Sequence, residues 1–308
     1  MDRISYDYYR VFYYVAKYGS LSRAAEILHG SQPNITKFMN NLESQLGCRL
    51  LLRSNKGVAL TPEGAKLYEH VQIAYAQLRE AENELTGFGH LSTGTIRIGT
   101  TETAMYGVLL NVLAKFRKAY PGIRLYITND STAGTSASLQ KGMLDLAVVT
   151  SPTDSPPKVK DTPLLPFEEI LVAAAGSALS EKKSMTPAEV AACPIVGLGH
   201  HTKTYAFYTR LFLPFGVEWQ PDIDLATSDQ ILPMVKAGLG IGFVPEFMAR
   251  KDLAEGTVAP IEVVGLKPKR QIVLLEDPSK SLSAAAAKLK EMMWAAKAGR
   301  TEAEKQDP

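Results

Sequence analysis

Cysteine is almost missing from this chain. Cys48 and Cys193 are the two it has, far apart in sequence, so no disulfide framework or zinc cluster is expected and both read as small buried hydrophobes. A redox sensor would want a resolving cysteine near Cys193, and none stands there. Long apolar runs are missing too: no stretch reaches the roughly 18 residues of a membrane span. The opening MDRISYDYYR has no apolar signal region, which argues against secretion and for a cytoplasmic protein without a membrane partner. There is no Gly-rich dinucleotide or phosphate loop, no HExxH, no Gly-x-Ser-x-Gly and no Cys/His pair at useful spacing. Those absences disfavour an enzyme and leave no cofactor or metal to expect.

Neither sign of charge is in excess, with 34 Lys and Arg against 32 Asp and Glu. The distribution is uneven. Residues 1–66 hold nine basic and five acidic side chains, whereas residues 67–94 hold one basic residue, Arg79, and four acidic ones. Positive charge therefore gathers at the N-terminal end, where a polyanion would find it. At 308 residues the chain is long enough for two or more domains.

The stretch Ser20 to Leu46 organises that basic end. Leu21, Ala24, Ala25 and Leu28 recur at helical spacing behind Ser20, a capping residue type; His29-Gly30 breaks the pattern. A second helix follows, with Ser31 as cap candidate, Pro33 in its first turn, and Ile35, Phe38, Met39, Leu42 and Leu46 as its apolar stripe. The opposite face carries Pro33, Lys37, Asn40 and Ser44, flanked by Asn34, Thr36 and Asn41. Amides bond base edges in two places and lysine reaches phosphate or guanine, so this face suits the major groove of DNA. An ordinary αα-hairpin with a solvated polar face fits the helix pair alone equally well.

The flanks favour DNA. Tyr8, Phe12, Val15 and Ala16 predict a third helix ending at Gly19. Downstream, Arg49 to Arg53 and Val58 to Leu60 flank Ser54-Asn55-Lys56-Gly57, which predicts a basic β-hairpin. Three helices and a basic hairpin make a winged helix.

Over residues 6–66 the sequence resembles the LysR-type transcriptional regulators. The motifs are the aromatic first helix, Gly-Ser before the second, Ala-Ala within it, Ser-Gln-Pro opening the third, Leu-Glu-x-x-Leu-Gly closing it, and Leu-Thr-Pro-x-Gly after the wing. The resemblance implies that Gln32, Pro33, Thr36 and Lys37 face the groove and that Arg53 contacts the backbone or minor groove. Ser31, Asn34, Asn40 and Lys56 complete the DNA-binding set. Asn34-Ile35, and Lys37 where arginine is common, depart from the family pattern and bear on which sequence is read.

Thr61, Pro62 and Glu63 open a long helix. Leu67, Val71, Ala74, Leu78, Ala81 and Leu85 alternate in steps of four and three, a heptad seam that asks for another helix. In LysR-like proteins that helix pairs with its copy, so a homodimer or homotetramer is expected. Gly87, Gly89 and Gly94 mark a hinge.

Beyond it strand and helix patterns alternate, predicting a parallel sheet with helices on both faces. Thr95 to Gly99, Ile123 to Thr128 and Leu144 to Val149 read as strands around helices at Met105–Phe116 and Thr135–Lys141. Further strands are expected at Glu169–Ala174, Pro194–Gly197, Ile223–Ala226, Ile241–Val244 and Lys269–Glu276. Helices are expected from Thr186, from Ser228 to Ala237 and from Ser283 to Ala298. The expected fold is thus α/β with an N-terminal all-α winged helix-turn-helix, a long linker helix and, by the family resemblance, a two-lobed periplasmic-binding-protein-like effector domain. The boundaries are 1–61 for the DNA-binding domain, 62–88 for the linker helix and 89–94 for the hinge. Lobe I takes 95–162 with 267–298, lobe II takes 163–266, and 299–308 form a flexible tail.

Open sheets bind ligands beyond the C-terminal ends of their strands, where helix N-termini present free amides. Thr100, Thr101 and Thr103, then Ser131, Thr132 and Thr135, then Thr150 and Ser151, cluster there. Singly each reads first as a helix cap; together they favour a polar, carboxylate-bearing effector. Glu102 is the awkward residue: a carboxylate at that helix start either repels an anionic ligand or favours an amine. His200, His201 and Thr202 face the same region by the family layout, and Phe243 with Pro245 could wall it. The reading is a DNA-binding regulator that answers to a small molecule at an imperfect palindrome, with RNA polymerase as a further partner. The alternatives are a solute-binding receptor and an α/β enzyme carrying a DNA-binding arm.

Overall fold

The computed structural model describes residues 4–54, 57–86, 93–155 and 158–303. Two compact units result, Met1–Phe88 and Gly89–Pro308.

In the first unit, the Ser5 hydroxyl accepts from the Asp7 amide and opens α1 (Tyr6–Tyr18). Gly19 closes it at φ 60°, a left-handed conformation that costs glycine least. Ser20 caps α2 (Leu21–Ile27) through the Arg23 amide at 3.2 Å, as its sequence position predicts. Ser31 precedes α3 (Gln32–Leu46) without a side-chain capping bond, contrary to expectation. Phe12, Val15, Ala24, Ile35, Met39 and Leu42 interlock as one buried core, which fixes α3 against the first two helices.

The wing is an antiparallel pair, β1 (Leu51–Ser54) and β2 (Gly57–Leu60). Glu43 of α3 holds its root, one carboxylate oxygen accepting from the Leu50 and Leu51 amides at 2.7 and 3.0 Å. The Val58 amide donates to Gly19 O at 2.8 Å and holds the second strand to the end of α1. Helix α4 (Pro62–Thr86) follows, its first turn capped by Thr61, whose hydroxyl accepts from the Gly64 amide at 3.0 Å.

The second unit begins with β3 (Gly94–Thr100), α5 (Glu102–Ala104), a π-helical segment at Met105–Leu109, and α6 (Leu110–Ala119). Next come β4 (Ile123–Asn129), α7 (Thr132–Gln140), β5 (Leu146–Thr150), β6 (Lys160–Ala174), β7 (Ser184–Met185), α8 (Pro187–Ala191) and β8 (Val196–Leu198). Then follow α9 (Lys203–Phe212), β9 (Ile223–Leu225), α10 (Ile231–Lys236), β10 (Gly242–Pro245) and α11 (Glu246–Ala254). The last elements are β11 (Val258–Val263), β12 (Lys269–Glu276) and α12 (Ala284–Ala303).

Strands β4, β3 and β5 are parallel, as the alternation predicts. The sheet as a whole is mixed, which corrects the all-parallel expectation: β12 returns from the far lobe and so lies antiparallel to both β5 and β6. The expected lobe boundary at residue 162/163 falls inside β6. That strand pairs with β12 as far as Glu168 and with β10 from Glu169 onward, so one unbroken strand joins the lobes. The lobes keep separate cores, one around Leu109, Phe116, Val148 and Leu289, the other around Tyr208, Phe212, Trp219 and Phe243.

Three local expectations also change. Ser228 does not cap a helix; residues 228–230 make a 3-10 turn before α10. Helices α9 and α11 and strand β11 went unread in the sequence. Helix α12 runs past the expected end at 298 to Ala303; residues 304–308 of the expected tail lie outside the described residues. Of the expected hinge, residues 89–92 do likewise, and Gly94 belongs to β3.

Candidate functional site

The candidate nucleic-acid surface lies on the first unit. Ser31, Gln32, Pro33, Asn34, Lys37 and Asn40 are exposed along α3 and Thr36 is half-buried. Because Ser31 makes no side-chain cap, no hydroxyl takes the first amides of α3, and those donors suit a phosphate. Two neighbours tune this face. Ser22 Oγ donates to Gln32 Oε1 at 3.0 Å and aims that amide. Arg53 of the wing donates to Asn40 Oδ1 at 2.6 Å and stands 3.7 Å from Glu43. Asn40 and Arg53, which the sequence offers as separate contacts, are therefore one joined pair. Arg49, also exposed, lines the hollow between them and Glu43. Lys56 lies outside the described residues.

The expected dimerisation seam divides. Leu67 and Val71 pack into the core of their own unit, because the first turns of α4 lie against α1. Ala74 and Leu78 remain exposed, Leu78 at 46%. The side chains of Ala81 and Leu85 lie outside the described residues.

The second site is a cavity of about 300 Å³ between the lobes of the second unit. Thr101, Thr103, Thr132, Thr150, His201, Thr202 and Phe243 line it, as expected from the sequence. Thr100, Thr135 and His200 do not. Thr100 and Thr135 are buried, with hydroxyls given to the carbonyls of Thr101 and Asp130. The His200 and His201 rings stand nearly perpendicular, 5.9 Å apart, and His200 is exposed.

Most lining hydroxyls are already engaged. Ser131 caps α7 through the Gly134 amide, Thr132 donates to Thr150 O, and Thr202 caps α9 through the Tyr205 amide. Thr101 differs from these. Its hydroxyl is buried and has no hydrogen-bond partner, which is costly unless a ligand supplies one.

Sequence reading missed the floor of the cavity, Glu169 and Arg270. They sit on β6 and β12, strands 101 residues apart at this pair, and local pattern gave no sign that the two charges would meet. Burial pushes the Glu169 carboxyl up, opposed by the Arg270 guanidinium beside it. Glu102, which the sequence set against an anion or toward an amine, lines the cavity and accepts from the Asn129 side-chain amide. Burial raises its carboxyl too, partly offset by hydrogen bonds, and Asp229 and Asp130 add to the rise.

Two ties cross the cavity mouth. Thr103 Oγ1 and Ser228 Oγ are 3.1 Å apart, and Lys203 Nζ lies 2.7 Å from Asp154, holding that carboxyl below its usual range. Among the described residues no group of three or more His, Cys, Asp and Glu is placed to hold a metal. No described helix is long and apolar enough to cross a membrane.

Comparison with known proteins gives two domain matches. Residues 6–65 match the family described as bacterial regulatory helix-turn-helix protein, lysR family. Residues 89–298 match the LysR substrate binding domain. Among full-length relatives, a probable RuBisCO transcriptional regulator from Cyanidioschyzon merolae is 26% identical over 285 residues, covering 91% of this chain and 94% of that one. The HTH-type transcriptional regulator CfxR of Cupriavidus necator is 28% identical over 281 residues, with 90% and 86% covered. The crystal structure of CbnR, a LysR family transcriptional regulator, superposes with a TM-score of 0.67 at 20% identity, over 94% of this chain and 98% of its own.

Proposed function

The chain belongs to the LysR family and is a DNA-binding transcription regulator, and with that as premise we propose how it regulates. A homodimer or homotetramer sets two copies of α3 in successive major grooves of an imperfect palindrome. A polar, carboxylate-bearing small molecule enters the cavity between the lobes. Its binding changes the angle between the DNA-binding arms, hence the bend of the promoter and the recruitment of RNA polymerase. The relatives it matches are transcription regulators rather than enzymes, and the work is done in the cytoplasm, where the promoter is.

The observation that carries this reading is the cavity itself. It lies at the C-terminal ends of β3 and β5, is walled by both lobes, and contains a buried Thr101 hydroxyl with nothing to bond. A ligand that satisfies that hydroxyl touches one lobe, and closing on it engages the other. The ties at Thr103–Ser228 and Lys203–Asp154 are then the contacts that change as the lobes move.

On the DNA side, Gln32 and Asn34 read base edges, Lys37 and Arg49 hold phosphates, and the Arg53–Asn40 pair joins the wing to the reading helix. The test begins by selecting genomic fragments that the full chain retains, then measures their electrophoretic bending with and without metabolites from the neighbouring genes. Thr101→Ala and Thr132→Ala are expected to weaken the metabolite response while the affinity for the fragment alone stays the same. No salt-sensitive retention of any duplex would sink the reading.

A further inference from the structure

We propose that the small molecule held between the lobes carries a protonated amine beside its carboxylate, as an α-amino acid does, and that Glu102 receives the ammonium group. This rests on the cavity being the effector site.

The charges around the cavity point to the amine. Five ionisable acid and base side chains other than histidine line it: Glu102, Asp130, Glu169, Lys203 and Arg270. Both bases are committed. Arg270 spends its guanidinium on Glu169 at 2.9 Å, on Ser151 O at 2.7 Å and on Thr150 Oγ1 at 3.2 Å. Lys203 is held by Asp154. Among the described residues the acids Glu102 and Asp130 have no basic partner: Glu102 accepts from the Asn129 amide and Asp130 from the backbone amide of Ser131. A ligand bearing only negative charge would enter beside two acids, with neither Lys203 nor Arg270 free to answer it. A ligand with an ammonium group supplies the missing cation.

Independent of those acids, the buried Thr101 hydroxyl lacks any partner, and Thr101 is the neighbour of Glu102 in the chain. Its hydrogen is available to a carboxylate oxygen. Ser131, which lines the same cavity, accepts from the Gly134 amide and keeps its own hydrogen to give. Hydroxyl donors adjoining an unpaired carboxylate match a ligand whose acid and amine sit on one carbon. Asn129, bonded to Glu102, is a positioning residue that holds the receiving carboxylate at the wall. The cavity, at about 300 Å³, is at the small end of ligand sites, which suits a molecule of amino-acid size.

The test uses the full chain and thermal unfolding, followed by calorimetry on each hit. The probes are the twenty common L-α-amino acids, their 2-hydroxy acid analogues and their decarboxylated amines, each at roughly 5 mM so that even weak binding raises the midpoint. The expected result is that at least one amino acid binds, while its 2-hydroxy acid binds tenfold or more weaker. In Glu102→Gln that tenfold preference collapses, because the receiving charge is gone; Thr101→Ala weakens the amino acid and the hydroxy acid together. Equal binding of amino acid and hydroxy acid, or a preference that survives Glu102→Gln, overturns the amine and leaves the cavity reading standing. Binding that neither variant alters places the ligand elsewhere and overturns both. A panel in which no amino acid binds overturns the amine.

Discussion

Arg270 Nη1 lies 2.9 Å from Glu169 Oε1, with the two side chains 2% and 4% exposed, at the point where β6 leaves β12 for β10. The second Glu169 oxygen accepts from Tyr208, whose ring stacks on Trp219 and Phe243 in the core of the second lobe. Arg270 in turn holds Thr150 and Ser151 at the end of β5 in the first lobe. The pair therefore links both lobes beneath the cavity, and a change of lobe angle must act on it.

Removing one partner leaves a buried charge alone. Arg270→Met is expected to cost about 3–5 kcal/mol in urea unfolding of the full chain. Adding Glu169→Leu to that variant should recover much of the loss, since two apolar side chains need no counter-charge. A single variant as stable as the parent would show that the pair bears no load.

On the DNA surface two neighbouring changes should separate. Lys37→Ala is expected to weaken binding on all sequences and to flatten the salt dependence by about one unit of slope, as loss of one phosphate contact does. Gln32→Ala, which removes the amide aimed by Ser22, should instead narrow the gap between specific and random DNA by about 1–3 kcal/mol. Gel-shift titrations at several salt concentrations measure both. Equal loss on specific and random DNA for Gln32→Ala would remove it from the base readers.

What the sequence disclosed followed from periodicity. The stripe of Ile35, Met39 and Leu42 announced α3 because a helix buries every third or fourth side chain, and all three are buried. Lys269 to Glu276 announced β12 to the residue, since an all-apolar centre with charged ends fits a strand covered on both faces. The cavity was half legible: threonines after strands follow from local chain direction. Glu169 and Arg270, 101 residues apart, could not be paired from local pattern, because their meeting depends on the register of two antiparallel strands. Leu67 and Val71 show a related limit. A heptad seam says that a helix needs a partner and does not say that α1 of the same unit supplies it.

A phenol pair offers a pH readout of the joint between the linker helix and the winged domain. Tyr14 of α1 and Tyr75 of α4 share a hydrogen bond of 2.8 Å. Burial first, then that bond, pushes the Tyr14 phenol up to about 12 from an ordinary 10.0. The native chain thus keeps a proton that the unfolded chain releases. Its stabilising effect is complete below pH 10 and is lost as pH rises from 10 through 12. Ultraviolet titration of tyrosinate should show a late-ionising phenol that Tyr14→Phe removes and Tyr75→Phe moves back toward 10. A titration unchanged by either variant would dismiss the contact.

Gly64 supplies the sharpest steric prediction. It lies in the first turn of α4, where its amide is capped by Thr61, and a Cβ built on it would stand 2.1 Å from the carbonyl oxygen of Leu50. That carbonyl cannot retreat: it accepts the Thr61 amide at 3.0 Å, and Leu50 is 1% exposed within the core of the winged domain, its own amide held by Glu43. Gly64→Ala must therefore push α4 away from the root of the wing. Overpacking of this kind costs about 1–3 kcal/mol, and here it falls on backbone that positions Arg49 and Arg53. The expected outcome is a lower unfolding midpoint for the first unit, weaker duplex retention, and unaltered thermal stabilisation by whatever ligand the second unit binds. Gly30→Ala is the control, because a Cβ there meets nothing within 4 Å; it should change stability by no more than about 0.5 kcal/mol. If the two alanine variants unfold together, the close approach of Gly64 to Leu50 is not what sets the wing.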